Sequence, residues 1–275
     1  MVSLTAWEAD AGNAENAENI SFLATPLKSE GITIGDSKKL YQGKSLTALE
    51  ASLLASFRTI KKDTMPIANE PIANEPIAND IEKIDQLSER FEAVLRQYQV
   101  RLLDMQYRTI EPKEFNQLLD RFDSKGALLS NVTLRLIAEQ LEKLPPDANI
   151  LILCDKHGGR NHYLDILSTF FPGEFMQVVK QSRESSIYRL TSARRRLEFR
   201  FLAKGEAHLP IALASMLSKY QRELAMIQFN AFWRSHIPDL QPTAGYPEDA
   251  RRFRRQIAEV QQQLGITDDA LWRKR

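Results

Sequence analysis

Four residues in the C-terminal half have side chains suited to phosphate contact, and they recur at helical spacing. They are Ser215, Ser218, Lys219 and Arg222, within "LPIALASMLSKYQREL". Spacings of three, four and seven residues place them on one face of a helix. Small hydroxyls and long cations are groups that contact a nucleic-acid backbone. We therefore interpret this face as a candidate nucleic-acid surface.

Two carboxylates are candidates for holding a metal. Asp155 directly follows the apolar run "ILILC", so it is expected at the carboxyl end of a strand, where α/β proteins place ligands. Glu206 lies between an apolar segment and the basic helix. Carboxylate oxygens from separate elements suit a hard divalent cation. Taken singly, Asp155 could instead cap a turn and Glu206 could be a solvated loop residue.

Two loops offer further polar groups. "GDSKKLY" contains Ser37 and Lys38, a hydroxyl and an ammonium that can grip a phosphate. "DKHGGRNHY" adds Lys156, two glycines and two histidines after Asp155. The histidines, His157 and His162, do not have the spacing of a zinc site and no cysteine pair accompanies them.

Charge separates the two halves of the sequence. Residues 1–150 carry 17 basic and 23 acidic side chains, whereas residues 151–275 carry 20 and 13. The second half is therefore the expected face for a polyanion. Its basic clusters are "ARRRLEFR", "RRFRR" and "RKR". Solvated helix faces would explain these clusters equally well.

Composition narrows the class of protein. The chain has 275 residues and 43% hydrophobic content, enough to bury a core. No apolar run approaches 18 residues, and the acidic N-terminus lacks the basic region of a signal peptide, so we expect neither a membrane span nor a signal peptide. A single cysteine fits a reducing cytoplasm. We expect a cytoplasmic protein.

The elements that must position these residues alternate between strands and helices. Strands are predicted at 2–8, 31–35, 145–155 and in three segments between 175 and 204. Helices are predicted at 45–57, from 80 to about 100 (with a bend or a strand to 110), in two segments within 111–144 with a break near Gly126, at 162–171, 210–233 and from 247. The pattern predicts one α/β domain over 1–275, with a mixed sheet flanked by helices. We interpret 58–110 as a helical insertion that carries the "PIANE" repeat at 66–80, where recurring proline prevents a regular helix.

The motifs occur in an order that resembles the type 2 ribonucleases H. "DSKKLY", the strand-end "LILCD", an acid before "ALASMLSKYQREL", and then "PTAGYPEDARRF" follow one another as in that family. The resemblance implies a ribonuclease H-like fold. It also implies cleavage of RNA in RNA–DNA hybrids, or at ribonucleotides embedded in DNA, with Mg²⁺ or Mn²⁺. The sequence leaves open which of these substrates is used.

The resemblance assigns roles to particular residues. It implies Asp155 and Glu206 as catalytic, metal-holding carboxylates. It implies substrate-binding roles for residues near the nucleic-acid backbone: Ser37, Lys38, Ser215, Lys219, Arg222 and Tyr246. The loop before Tyr246 lacks the histidine of the family's "H-K-G-Y-x-T" motif, which bears on substrate preference.

The resemblance is incomplete at the front. In the family, the first two carboxylates lie in an Asp-Glu-Ala-Gly motif at the end of the first strand, and "VSLTAWE" resembles the second strand. Residues 1–275 do not contain that motif ahead of "VSLTAWE". We expect either an N-terminally truncated nuclease or a nucleic-acid-binding protein of the same fold without catalysis. A helical interaction protein with accidental motif matches is a third hypothesis.

Overall fold

Two separate sheets organise the chain in its computed structural model, which describes residues 1–9, 20–37, 40, 53, 56, 81–192 and 195–274. The strands are β1 (Val2–Ala9), β2 (Val100–Arg108), β3 (Ile150–Asp155), β4 (Phe175–Gln181), β5 (Ser185–Thr191) and β6 (Arg196–Leu202). The helices are α1 (Ala24–Ser29), α2 (Ile81–Gln97), α3 (Pro112–Phe122), α4 (Lys125–Leu141), α5 (Leu164–Phe170), α6 (Leu209–His236), α7 (Pro247–Gln263) and α8 (Asp268–Leu271). Short 3₁₀ turns span Ile20–Leu23 and Gly205–Ala207. The predicted α/β class is confirmed.

The larger sheet has the strand order β3-β6-β5-β4. β4, β5 and β6 form an antiparallel meander, and β3 lies parallel to β6. Side chains alternate along β6, so Leu197, Phe199 and Phe201 are buried against α4 and α5. The intervening residues carry charges on the opposite face. The carboxyl end of β3 therefore lies where the buried apolar face of the larger sheet meets its charged face.

The smaller sheet pairs β1 antiparallel to β2 and lies between two helices. On one face of β1, Val2 and Leu4 pack into the apolar cluster of α3 and α4. On the other face, the Thr5 hydroxyl donates a 3.0 Å hydrogen bond to the Pro210 carbonyl of α6. α4 and α6 thus pack on opposite faces of β1.

Helix α6 packs against α1, α2 and β2 with its first half and against α7 with its second half. Its 28 residues span about 42 Å at 1.5 Å per residue. The first half buries Leu213, Met216 and Leu217 against α1, α2 and β2. The second half buries Trp233 against Phe253 of α7. Because the helix is fixed at both ends, the polar residues between them are held on a rigid element.

Most of the predicted elements within the described residues are present. Strand and helix predictions at 2–8, 111–144, 162–171, 175–204, 210–233 and from 247 are confirmed within a few residues. The prediction for 145–155, a breaker followed by an apolar strand that ends in an acid, is confirmed by the strand Ile150–Asp155. Of the two alternatives predicted for 80–110, a bent helix or a helix followed by a strand from about 100, the second is confirmed by Ile81–Gln97 and Val100–Arg108, so the helical interpretation of 58–110 does not extend to residues 100–108. The repeat at 66–80 and nearly all of 45–57 lie outside the described residues.

The strand predicted at 31–35 is wrong. Gly31 has a φ of +83° and follows α1, and the Ile32 N–H donates a 2.9 Å hydrogen bond to the Leu27 carbonyl. This is a Schellman motif, in which a left-handed glycine ends the helix and the next residue makes an apolar contact. Ile32 is buried for that reason, and its apolar neighbours imitate a strand in the sequence.

Within the described residues, no helix combines the length and the apolar character needed to cross a bilayer.

Candidate functional site

Asp155 is fixed by the backbone of the turn that follows β6. Its Oδ1 accepts a 3.0 Å hydrogen bond from the Gly205 N–H. A Cβ at Gly205 would lie 3.1 Å from that Oδ1 and 2.9 Å from the Ile211 Cδ1, so a side chain there would displace its neighbours. The close approach requires glycine at position 205, and it brings the next residue, Glu206, to the same end of the sheet.

Glu206 belongs to a chain of hydroxyl contacts. Its Oε1 accepts a 2.6 Å hydrogen bond from the Ser215 hydroxyl. The Ser215 oxygen lies 3.0 Å from the hydroxyl of Ser37, which is only 4% exposed. The structure therefore brings together four of the predicted site residues, counting Asp155 across the Gly205 turn. Lys38 lies outside the described residues.

Lys219 and Arg222 lie farther along α6, and Tyr246 lies just before α7. Glu223 accepts hydrogen bonds from Lys219 Nζ at 2.7 Å and from Arg222 Nη1 at 2.5 Å. Burial raises the pKa of Glu223, but these two cations outweigh it and hold that pKa below its usual value. Arg222 also donates to the Ala244 carbonyl, and its guanidinium lies 5.5 Å from the centre of the exposed Tyr246 ring.

The predicted residues thus form two groups along α6. Asp155 at the end of β3 and Glu206 in the following 3₁₀ turn lie near Ser215 in the first part of α6, whereas Arg222 lies about two turns later, beside Tyr246 at the start of α7. The seven-residue step from Ser215 to Arg222 corresponds to about 10 Å along the helix axis. Arg222 has a 35% exposed side chain and Lys219 only 15%, so Arg222 is the more accessible cation.

Asp155 and Glu206 carry oxygen atoms of the type that a hard divalent cation prefers as ligands. Asp155 and Glu206 each use one oxygen in the hydrogen bonds above, and an ionised carboxylate has acceptor capacity beyond that. Mg²⁺ is commonly held by one or two carboxylates, with water and substrate phosphate completing its shell. Among the residues that the structure describes, no group of three or more acids, histidines or cysteines could hold a metal. Those residues therefore do not form a four-carboxylate site for two metals.

The segment after β3 is structural. His157 is buried, with its Nδ1 2.9 Å from the Ser130 hydroxyl, and burial lowers its pKa to about 4 with a smaller contribution from Arg160. Lys156 Nζ donates 2.6 Å hydrogen bonds to the Asn161 side chain and to the Ser182 carbonyl. Lys156 Nζ also donates a 3.2 Å hydrogen bond to the Ser186 hydroxyl of β5. These contacts attach the loop to α4 and to the start of β5, so neither side chain is presented to a phosphate.

The neighbouring cysteine is also unavailable for chemistry. Cys154 is buried in β3 beneath the apolar face of the sheet. Burial, together with the adjacent Asp155 carboxylate, raises the pKa of the Cys154 thiol to about 12.

The basic clusters are largely ion-paired. On the open face of the larger sheet, Glu198 lies 2.6 Å from nitrogens of both Arg189 and Arg200. On α7, Arg251 and Arg252 pair with acids of the same helix. The solvated-face interpretation of the "RRFRR" cluster therefore fits the geometry better than convergence on the site.

Two participants were missed by sequence reasoning. The Ser3 hydroxyl is hydrogen-bonded to the Ser218 hydroxyl, which joins β1 to α6. The alternation of polar Ser3 and Thr5 with apolar neighbours was a signal for this face. Gly205 was the other omission, and its close approach to Asp155 depends on a tertiary contact that no local pattern encodes.

No family model matches the chain, and no curated protein matches it. Functional inference therefore depends on the geometry of this site and on the motifs themselves.

Proposed function

We propose that this protein binds the backbone of an RNA–DNA hybrid, or of DNA that contains ribonucleotides, along α6. We further propose that it cleaves that strand with Mg²⁺ or Mn²⁺ held by Asp155 and Glu206. The observation that supports the proposal is that Asp155, bonded to the Gly205 N–H, and Glu206, bonded to the Ser215 hydroxyl, line the same cavity at the start of the helix that presents Arg222.

The spacing of the groups suits a nucleic-acid strand. The 10 Å between Ser215 and Arg222 corresponds to about three nucleotides at 3.4 Å per step. Arg222 would contact a phosphate, and the exposed Tyr246 ring beside it would pack on a sugar. Ser37 and Ser215 would hold the Glu206 carboxylate in position. A bound divalent cation supplies an activated water and stabilises charge on the leaving oxygen.

Replacing Asp155 tests the catalytic part of the proposal. We expect Asp155→Asn to lower Mn²⁺-dependent cleavage of a labelled hybrid at least about 100-fold, because the amide is a far weaker ligand for a hard cation. Hybrid binding without metal should change less than about threefold. Asp147→Asn, in the exposed turn before β3, is the matched control and should cleave normally. Equal cleavage by both variants would contradict the assignment.

Replacing Arg222 tests the binding part. We expect Arg222→Gln to reduce the slope of log affinity against log salt concentration by about 0.9, the loss of one phosphate contact. Arg121→Gln, an exposed cation on α3, should leave the slope unchanged. An unaltered slope in Arg222→Gln would exclude this cation from the backbone contact.

A second candidate is a protein that binds hybrids without cutting them. It is favoured by the finding that the described residues offer no cluster of three metal ligands. It predicts salt-sensitive binding and no cleavage by the 275-residue chain in Mn²⁺. Cleavage that disappears in Asp155→Asn would exclude it.

A further inference from the structure

The larger sheet gathers the charged side chains of its three antiparallel strands on one face. β4, β5 and β6 contain four basic residues and one acid: Lys180, Arg189, Arg196, Glu198 and Arg200. Arg189 is paired in register with Glu198, and Lys180 is paired with a residue of β5 whose partner in β6 is Arg200. Paired residues lie on the same face of a sheet. We call these five side chains, with their excess of positive charge, the arginine face.

Glu198 orders the arginine face without neutralising it. Its side chain is only 13% exposed and lies between Arg189 and Arg200, with one carboxylate oxygen 2.6 Å from a nitrogen of each. Glu198 contacts one nitrogen of Arg189 and two of Arg200. Because a guanidinium carries five N–H donors, both arginines are held in place and still have donors for a second anion.

The arginine face continues into the candidate metal site. β3 lies parallel to β6 with Leu153 opposite Arg200, so Asp155, two residues farther along β3, lies on the same face. A strand spacing of about 4.8 Å and a rise of about 3.3 Å per residue place the Cα atoms of Arg200 and Asp155 about 8 Å apart. Arg196 and Arg200 also line the cavity of about 1230 Å³ that Asp155 and Glu206 line. A ligand that fills this cavity therefore meets both the carboxylates and the arginines.

The separation of the cations suits a polyanion more than a single small anion. Arg196 and Arg200 are four residues apart on β6, which corresponds to about 13 Å along the strand. Lys180 lies two strands away from Arg200, about 10 Å across the sheet. Guanidinium groups make paired hydrogen bonds with phosphate oxygens, and a duplex carries phosphates along its whole length. Cations at these separations can each meet a different phosphate.

We propose that the arginine face is a second backbone-binding surface, on which the hybrid continues beyond the surface of α6. This inference rests on the proposed function, because it extends the contact with the same substrate. The strand at Asp155 and Glu206 would then be held by two sets of phosphate contacts, one from Arg222 and one from the arginine face. A hybrid is favoured over an acidic peptide because the neighbouring carboxylates suit a cation that also binds phosphate.

The test removes two arginines of this face and measures the salt dependence of hybrid binding. A labelled RNA–DNA hybrid of about 20 base pairs, about 68 Å long, is titrated with the protein and followed by fluorescence anisotropy. In the variant Arg196→Gln with Arg200→Gln, we expect the slope of log affinity against log salt concentration to fall by about 1.8, about 0.9 for each lost phosphate contact. The matched control, Arg90→Gln with Arg96→Gln, removes the same charge from exposed positions on α2 and should keep the native slope.

The outcomes separate this inference from the proposed function. A native slope in the Arg196→Gln, Arg200→Gln variant, together with a lower slope in Arg222→Gln, would overturn the second surface alone. An equal fall in the α2 control would assign the effect to net charge and overturn the second surface as well. If the native chain does not bind the hybrid at low salt, the proposed function fails and the second surface fails with it.

A crosslinking experiment covers the case in which the double variant does not fold. The Arg196 side chain is 53% exposed, so Arg196→Cys places an accessible thiol on the arginine face. Cys154 is buried, which directs a photoactivatable thiol reagent to the new position. We expect the labelled Arg196→Cys chain to crosslink to the hybrid and the labelled Arg90→Cys chain not to. Absence of a crosslink from both chains would overturn the second surface. Crosslinking of Arg196→Cys to poly-glutamate but not to the hybrid would assign the face to an acidic protein partner and overturn it too.

Discussion

His157 illustrates how burial decides the role of a residue. Its type and its position after a strand-end acid make it a candidate for chemistry in the sequence. In the structure its ring lies 5.7 Å from the rings of both Tyr163 and Phe201, and the Tyr163 hydroxyl accepts from its backbone N–H at 3.0 Å. A pKa of about 4 keeps it neutral at physiological pH. It is a core residue with a satisfied polar atom.

The depressed pKa makes stability depend on pH. Between the ordinary value of 6.5 and about 4, the unfolded chain binds a proton that buried His157 does not. The contribution is therefore complete above pH 6.5 and is lost as pH falls toward 4, by up to about 3 kcal/mol. Denaturation from pH 7 to 4.5 should show this drop, and His157→Gln should flatten it. His162→Gln, at an exposed position, should retain it; parallel curves for the native chain and His157→Gln would refute the explanation.

Side-chain chemistry at the site was predictable only in part. The strand-end position of Asp155 follows from a breaker and an apolar run, and the shared face of Ser215 and Arg222 follows from helical spacing. The engagement of Lys156 with β5 was not predictable, because its partners lie 5 to 30 residues away in the sequence. Such contacts appear only when the sheet forms.

At the scale of elements, the end of α1 shows why local patterns mislead. "GITI" reads as a strand because its apolar residues alternate. The glycine, however, is the left-handed residue that ends a helix, and the following isoleucine is the apolar contact of that ending. A similar left-handed residue, Asp123 with a φ of +56°, separates α3 from α4, so the predicted break near Gly126 falls a few residues late.

Gly31→Ala should destabilise the protein by about 1 kcal/mol. The added methyl would meet only Leu87 at an ordinary 3.7 Å, so the penalty comes from the positive φ and not from a clash. Gly35→Ala is the control, because its Cβ would meet nothing within 4 Å and its φ is not in the left-handed range. Urea denaturation of both variants measures the difference. Equal free energies of unfolding for the two variants would show that the end of α1 does not require glycine.

At the scale of the whole molecule, the class of fold was accessible to sequence but the division into two sheets was not. Strand pairing is non-local: β1 pairs with a strand nearly 100 residues away, and β3 with one about 45 residues away. Periodicity identifies strands, yet it does not say which strands meet. That β1 and β3 each pair on one edge only among the described residues was therefore visible only in the structure.

The outer strand of the larger sheet is a predicted site of self-association. β4 pairs only with β5 among the described residues, and its Phe175 is 73% exposed. Exposed apolar edge strands recruit other strands, and charge on the edge opposes this. Phe175→Lys should therefore lower light scattering at high concentration. Gln263→Lys adds the same charge at an exposed position on α7 and should leave the scattering unchanged. An equal fall in scattering for both variants would show that net charge alone causes it.

The single cysteine allows the opening of β3 to be followed by alkylation. Alkylating reagents attack the thiolate, and Cys154 is both covered and held in its neutral form while β3 remains in the sheet. Labelling must wait until β3 leaves the core. Because the chain has no second thiol, the rate at which one covalent adduct forms per molecule reports how often β3 opens, without any engineered probe.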